Sequence, residues 1–251
     1  MPTPFMHMAL AHRLISDARL SGSVHDLLCA EWGAFLLGSI APDARVSSGI
    51  NRADTHFFEY RPVIEPPPAV AMLNRYPELR RGSVQDNAMA AFIAGYAGHL
   101  AMDEIWCTEL LFPCFVEADG WQPPAERNLA LHLLLGYLDE RDRARIPESD
   151  YPALAAASPD HWLPFISDEA LVGWRDLIAS QLAPGAASQT LEILSKRVAM
   201  PAARLAQYVG STAEMQARLW VHVPPQRIPA AEEAMYAATF RAVIDYLAAS
   251  F

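Results

Sequence analysis

The 251-residue sequence predicts an all-α protein folded as a single multi-helix domain over 1–251. Two observations carry that expectation. Apolar residues recur at helical spacing in most stretches between Pro- and Gly-rich breaks, and no stretch shows the apolar/polar alternation of a half-buried strand. There is also no fixed-period repeat of the kind that marks a solenoid.

The elements follow in order. A first helix fills roughly the first 20 residues, where Pro4 suits an opening turn and Met6, Ala9, Leu10, Leu14 and Ile15 share one periodicity. Ser21-Gly22-Ser23 breaks the chain, with Ser23 as the expected N-cap of a second helix through Leu27, Leu28, Trp32, Phe35 and Leu36. Residues 38–68 read as loop, on Gly38, Pro42, Ser47-Ser48-Gly49 and Pro66-Pro67-Pro68. A short helix over 70–76 precedes a long apolar helix over 84–111, which Pro113 is expected to end. Pro123-Pro124 opens a helix through Leu129, Leu133, Leu134 and Leu138, and helical periods recur at 168–182, 188–208 and 229–250. The candidate chemistry falls in 1–115, whereas 116–251 reads as helical without legible chemistry.

Composition narrows the function classes. Hydrophobic residues at 52% and charged residues at 19% indicate a large core and leave no room for a long disordered segment. No uninterrupted apolar run reaches the ~20 residues of a membrane span, so integral membrane association is not expected. The start, Met1-Pro2-Thr3-Pro4-Phe5-Met6-His7, lacks a basic leader followed by an apolar stretch. The three cysteines, Cys29, Cys107 and Cys114, suit reduced thiols, and the expected location is cytoplasmic. A net charge of −10 argues against a nucleic-acid partner. A small phosphate ester stays compatible, because bound divalent ions would reverse the local field.

The most informative pair is His99 and Asp103, at i and i+4 within the long apolar helix and therefore on one face. A buried ionised carboxylate needs a partner, which either a divalent metal or a simple hydrogen bond to the histidine supplies. Upstream, Asp43 and His56 sit in the 38–68 segment, which metal ligation would order, and His7 lies on the first helix. The set His7, Asp43, His56, His99 and Asp103 offers nitrogen and oxygen donors that suit zinc, and iron or manganese accept the same donors. Five ligands exceed a closed tetrahedral structural site, so two ions with a bridging carboxylate are the natural arrangement.

The order His7, then Gly38-Ser39-Ile40-Ala41-Pro42-Asp43, then Thr55-His56-Phe57, then Gly95-Tyr96-Ala97-Gly98-His99 followed by Asp103 resembles the zinc-dependent phospholipase C family. P1/S1-type nucleases share that helical architecture. The matching region covers about 3–115. The resemblance implies Asp43, His56 and His99 on one metal, with Asp103 bridging to a second that His7 also binds. It further implies attack of a metal-activated water on the phosphorus of a small phosphate ester or phospholipid-like substrate, with Asp43 as candidate general base.

Two features depart from the family pattern. The family's secreted members use the amino terminus of a processed Trp as a ligand, which this sequence lacks. A third metal there uses a further His after the Asp and then His-x-x-x-Glu, but no His follows closely here and Gly136 stands four residues after His132. Glu104, Glu109 and His132 are the candidates for a substitute ligand. The function expected is therefore a metal-dependent phosphoesterase, and the alternative is a non-catalytic metal-binding helical protein with a degenerate site. A metal enzyme of other chemistry, using iron or manganese, is a third reading.

The other histidines have plainer explanations. His12 lies about 140° round the helix from His7 and reads as a surface or packing residue. His25-Asp26 matches the adjacent pair of HD-type phosphohydrolases, but that reading leaves Asp43, His56 and His99 unexplained. His161 and His222 read as core or rim positions. The aromatic run Phe57-Phe58-Glu59-Tyr60 either lines a pocket or anchors the core, and Asp139 to Arg145 reads as a solvated helix end.

Overall fold

The computed structural model describes residues 2–248, which form one helical domain with no strand among the described residues. Helix α1 (Pro4–Ile15) starts with proline at its first position, where a missing N–H costs nothing. Helix α2 (Gly22–Ala30) is capped by Ser21, whose Oγ accepts from Val24 N at 3.4 Å, rather than by Ser23. The winding breaks at Glu31 (φ −110°, ψ 33°), so Trp32 begins a separate helix, α3 (Trp32–Ile40).

The 38–68 segment departs most from a loop. Helix α3 runs into a 3₁₀ turn (Ala41–Ala44), α4 (Arg45–Ser48) and α5 (Arg52–His56) before irregular backbone leads to α6 (Pro68–Arg75). Pro42 falls in the first turn of the 3₁₀ segment, where proline is tolerated, so it shapes the chain without ending the helical run.

The central helix α7 (Asn87–Ile105) opens on Asp86, whose Oδ1 accepts from Ala88 N at 2.7 Å. All residues from Ala90 to Asp103 are buried, so α7 is enclosed on every side. Helix α3 crosses it closely at two glycines. A Cβ on Gly38 would lie 1.9 Å from the Phe92 carbonyl oxygen, and one on Gly95 2.4 Å from that of Phe35. Pro113 does not stop the chain's winding: α7 passes into a π-helix over Trp106–Val116 that contains it. The wider turn accommodates the ring, and Glu117 N donates to Phe112 O at 2.9 Å.

Helix α8 (Pro124–Arg143) matches its expectation. Helix α9 (Asp150–Ala156) was not legible in the sequence, and α10 (Asp168–Leu182) falls where expected. The expected 188–208 helix divides into α11 (Thr190–Arg197) and α12 (Ala202–Val209), because Pro201 cannot continue the first. Helix α13 (Thr212–Met215) runs into a π-helical turn (Gln216–Trp220), and α14 (Arg227–Ala248) is the last described element. The last two residues of its expected 229–250 span lie outside the described residues.

The second half of the chain is not a separate body. Trp174 Nε1 on α10 donates to Ile40 O at 2.8 Å, and α14 packs against α7, with Thr239 Oγ1 donating to Gly98 O at 3.3 Å. One core joins α1, α3, α7, α10 and α14, and a second joins the π segment to α8, α11, α12, α13 and the start of α14. The 139–145 run is also part of the packing: Asp139 and Asp142 are buried, and Arg141 reaches both Asp142 and Glu232. Among the described residues no single helix is long and apolar enough to cross a membrane.

Candidate metal centre

The fold brings all five expected ligands together. His7 lies in the second turn of α1, Asp43 in the 3₁₀ turn, His56 at the end of α5, and His99 and Asp103 one turn apart on α7. Each is buried, His56 completely and Asp103 at 1% exposure. Asp103 stands at the centre. Its Oδ1 is 3.6 Å from His7 Nε2, and its Oδ2 is 3.4 Å from His56 Nε2 and 3.7 Å from His99 Nε2. Asp43 Oδ1 is 3.6 Å from His56 Nε2.

These separations are too long for direct N–H···O bonds, which run at ~2.7–3.2 Å. They match the spacing of donors around a shared ion: with bonds of ~2.1 Å, a tetrahedral site has donor–donor edges of about 3.4 Å. Consistent with this, His7 Nε2, His56 Nε2, His99 Nε2 and both Asp103 oxygens are buried without a hydrogen-bond partner. Buried polar atoms rarely stay unsatisfied, and an orphaned set aimed at one point indicates a ligand. The donors therefore fit a metal.

The ring orientations reinforce the fit. His99 Nδ1–H donates to Ser39 O at 2.9 Å, which leaves the Nε2 lone pair facing Asp103. Thr55 Oγ1 donates to Arg52 O at 3.3 Å, so it accepts from His56 Nδ1–H at 2.8 Å and fixes the same tautomer there. Tyr96 Oη donates to Thr55 O at 2.6 Å, pinning α5 to α7. The His7 ring stacks on His99 at 3.7 Å between centroids, and His56 meets His99 edge-on at 5.4 Å.

Titration follows from the same burial. Burial, with His7 alongside, pushes His99 down to about 3, and burial lowers His56 as well, so both rings stay neutral. Burial alone would raise both carboxylates, but their histidine neighbours hold Asp43 at about 2 and Asp103 well below the carboxylate range. Neutral imidazoles beside ionised carboxylates are the ligand forms that bind divalent ions.

Among the five, two groups of donors lie mutually within 4.8 Å: His7, Asp43 and His99, and His56, His99 and Asp103. His99 belongs to both but has one nitrogen to offer, because Nδ1 is committed to Ser39. Asp103, in contrast, turns one oxygen toward His7 and the other toward His56 and His99. Neither group includes Glu104, Glu109 or His132. Glu109 is exposed, and His132 Nδ1–H donates to Asn128 O at 2.7 Å. Gly136 is a packing position, since a Cβ there would lie 2.8 Å from Leu191 Cδ2.

Arg52 was not singled out from the sequence, although it lies at i−4 to His56 on the same face of α5. Its Nη2 is 3.6 Å from Asp103 Oδ2 and its Nη1 donates to Phe58 O at 2.8 Å. The guanidinium lies 4.2 Å from the ring centres of both Phe58 and Tyr60. The aromatic run thus divides its work: Phe58 and Tyr60 hold Arg52 beside the centre, while Phe57 packs on Tyr76 and Phe165.

The remaining histidines stand apart. His12 pairs with the buried Asp150, which also accepts from Trp32 Nε1 at 3.0 Å. His25 and Asp26 are exposed on α2, away from the five ligands. His161 is 94% exposed in side chain, contrary to the expected core or rim position, and sits at φ 53°. Comparison of the chain with family models, curated proteins and solved structures found no match to any of them.

Proposed function

We propose that the protein is a metal-dependent hydrolase of phosphate esters, built on a dinuclear centre held by His7, Asp43, His56, His99 and Asp103. The observation that carries this reading is the buried ring of orphaned donors around Asp103, with Asp43 at an edge that also lines a cleft. Three histidine nitrogens, two Asp103 oxygens and an Asp43 oxygen make six donor atoms, or three for each of two ions. Three protein donors per ion leave a position for water or substrate, as catalytic sites require. Zinc suits the donor set, and iron or manganese are compatible. A divalent pair supplies a water of lowered pKa and offsets charge on the phosphoryl oxygens.

The chain's own residues supply the rest. Asp43, ionised at neutral pH and facing the cleft, accepts the proton of the attacking water at its carboxylate. Arg52, held against Phe58 and Tyr60, places positive charge beside Asp103 where negative charge grows in the transition state. Ser39 and Thr55 hold the His99 and His56 rings. The resemblance to zinc-dependent phospholipase C points to the same chemistry.

The test is hydrolysis of bis(p-nitrophenyl) phosphate and p-nitrophenyl phosphate by metal-replete protein, with and without chelator. Chelator-sensitive turnover that His99→Ala abolishes is the expected result. The near-complete burial of His7, His56, His99 and Asp103 favours a second reading, a structural centre that ties α5 and the 3₁₀ turn to α7. Metal retention without turnover on either ester would select it.

A further inference from the structure

We infer that the cleft beside Asp43 is an anion-binding subsite in which Arg45 and Arg197 receive a second negatively charged group of the substrate. The inference rests on the phosphoesterase reading and narrows its substrate class. The two arginines come from distant parts of the chain: Arg45 opens α4, two residues after Asp43, and Arg197 closes α11. Both line one cleft of about 90 Å³ with Asp43, Tyr60 and Trp174.

Charge makes this cleft unusual for a protein of net charge −10. Asp43 is the only carboxylate among its described lining residues, and that carboxylate is already engaged by the histidine cluster. Arg45 and Arg197 form no ion pair among the described residues, and Arg45 Nε is buried without a hydrogen-bond partner. A buried unsatisfied N–H calls for an acceptor, and a guanidinium fork matches a phosphate or carboxylate in two-point fashion.

The substrate is thus a small phosphate ester with one group at the metal centre and another anionic group, phosphate or carboxylate, at Arg45 and Arg197. The same charges disfavour a headgroup bearing a quaternary ammonium.

Calorimetric titration of metal-replete protein with three non-hydrolysable probes tests this: propylphosphonate, 3-phosphonopropionate and propane-1,3-bisphosphonate. At least one doubly anionic probe should bind about ten-fold more tightly than propylphosphonate, and the tighter one identifies the group. Arg45→Gln and Arg197→Gln should each reduce that preference, and the double variant should erase it, with metal content and circular dichroism as controls for folding. Equal affinity for all three probes in metal-bearing protein overturns the subsite alone, as does a preference that survives in the double variant. Protein that takes up no metal and binds none of the probes overturns the subsite together with the reading beneath it.

Discussion

Thr55 is fully buried and offers no donor atom to the centre itself, yet its bond to His56 Nδ1 controls which nitrogen His56 presents. Thr55→Val keeps the side-chain shape and the Thr55 carbonyl that accepts from Tyr96, and removes only the hydroxyl. In the metal-bound form His56 must keep its proton on Nδ1, which then lies buried without an acceptor at a cost of about 1–3 kcal/mol. Metal-free protein escapes that cost. There the proton can move to Nε2, where a shift of a few tenths of an ångström brings Asp103 Oδ2, 3.4 Å away, within hydrogen-bond reach. The penalty therefore falls on the bound state, and metal affinity should drop by roughly 10–100-fold. Competition against a chromophoric chelator measures it, and circular dichroism confirms the variant is folded. Affinity within two-fold of the parent would refute the assignment of His56 Nε2 as a donor.

Other outcomes follow from the same geometry. Metal-free protein should lose stability as pH falls from about 6.5. Burial lowers His99 from 6.5 to about 3, so across that window the unfolded chain binds more protons. The slope is about 1.4 kcal/mol per pH unit for one such histidine, and His56 adds to it. Asp43, depressed from 3.8 to about 2, contributes stability above pH 3.8 that is lost toward pH 2. Urea midpoints at successive pH values read both effects; a flat profile between pH 7 and 4 contradicts the histidine effect, and one between pH 4 and 2 the Asp43 effect. Gly38→Ala sets a Cβ 1.9 Å from the Phe92 carbonyl and should destabilise the protein by about 3 kcal/mol or more. It should also weaken metal binding, because α3 carries the Ser39 carbonyl that orients His99; a variant with parental melting temperature would contradict this.

The pattern of the site was legible where local periodicity fixes it. His99 and Asp103 share a face because both lie on one strongly apolar helix, and that placement follows from spacing alone. His7, Asp43 and His56 were legible as donors of the right type in a suggestive order, but their convergence depends on how α1 and α3 cross α7. That crossing is set by backbone contact at Gly38 and Gly95, which no single-sequence periodicity encodes. The 38–68 segment misled because proline and glycine punctuate short helical turns as readily as loops. Pro113 misled for a related reason, since a π-turn accommodates a ring that an α-turn expels. Arg52 was hidden because its meaning lies in its packing against Asp103, Phe58 and Tyr60, which the fold of the α5 turn sets and spacing alone does not. The 139–145 charges read as solvated because the partners that engage them, Glu232 for Arg141 and Ser188 for Asp139, are far away in the chain.

The central claim is that the orphaned donors around Asp103 hold metal. Elemental analysis of protein purified without chelator, after dialysis against metal-free buffer, tests it most directly. Close to two divalent ions per chain, zinc foremost, are expected, with loss of that content in Asp103→Ala, which removes the two oxygens that would hold them beside His7 and His56. Folded protein that carries no metal after exposure to zinc, iron and manganese would contradict it.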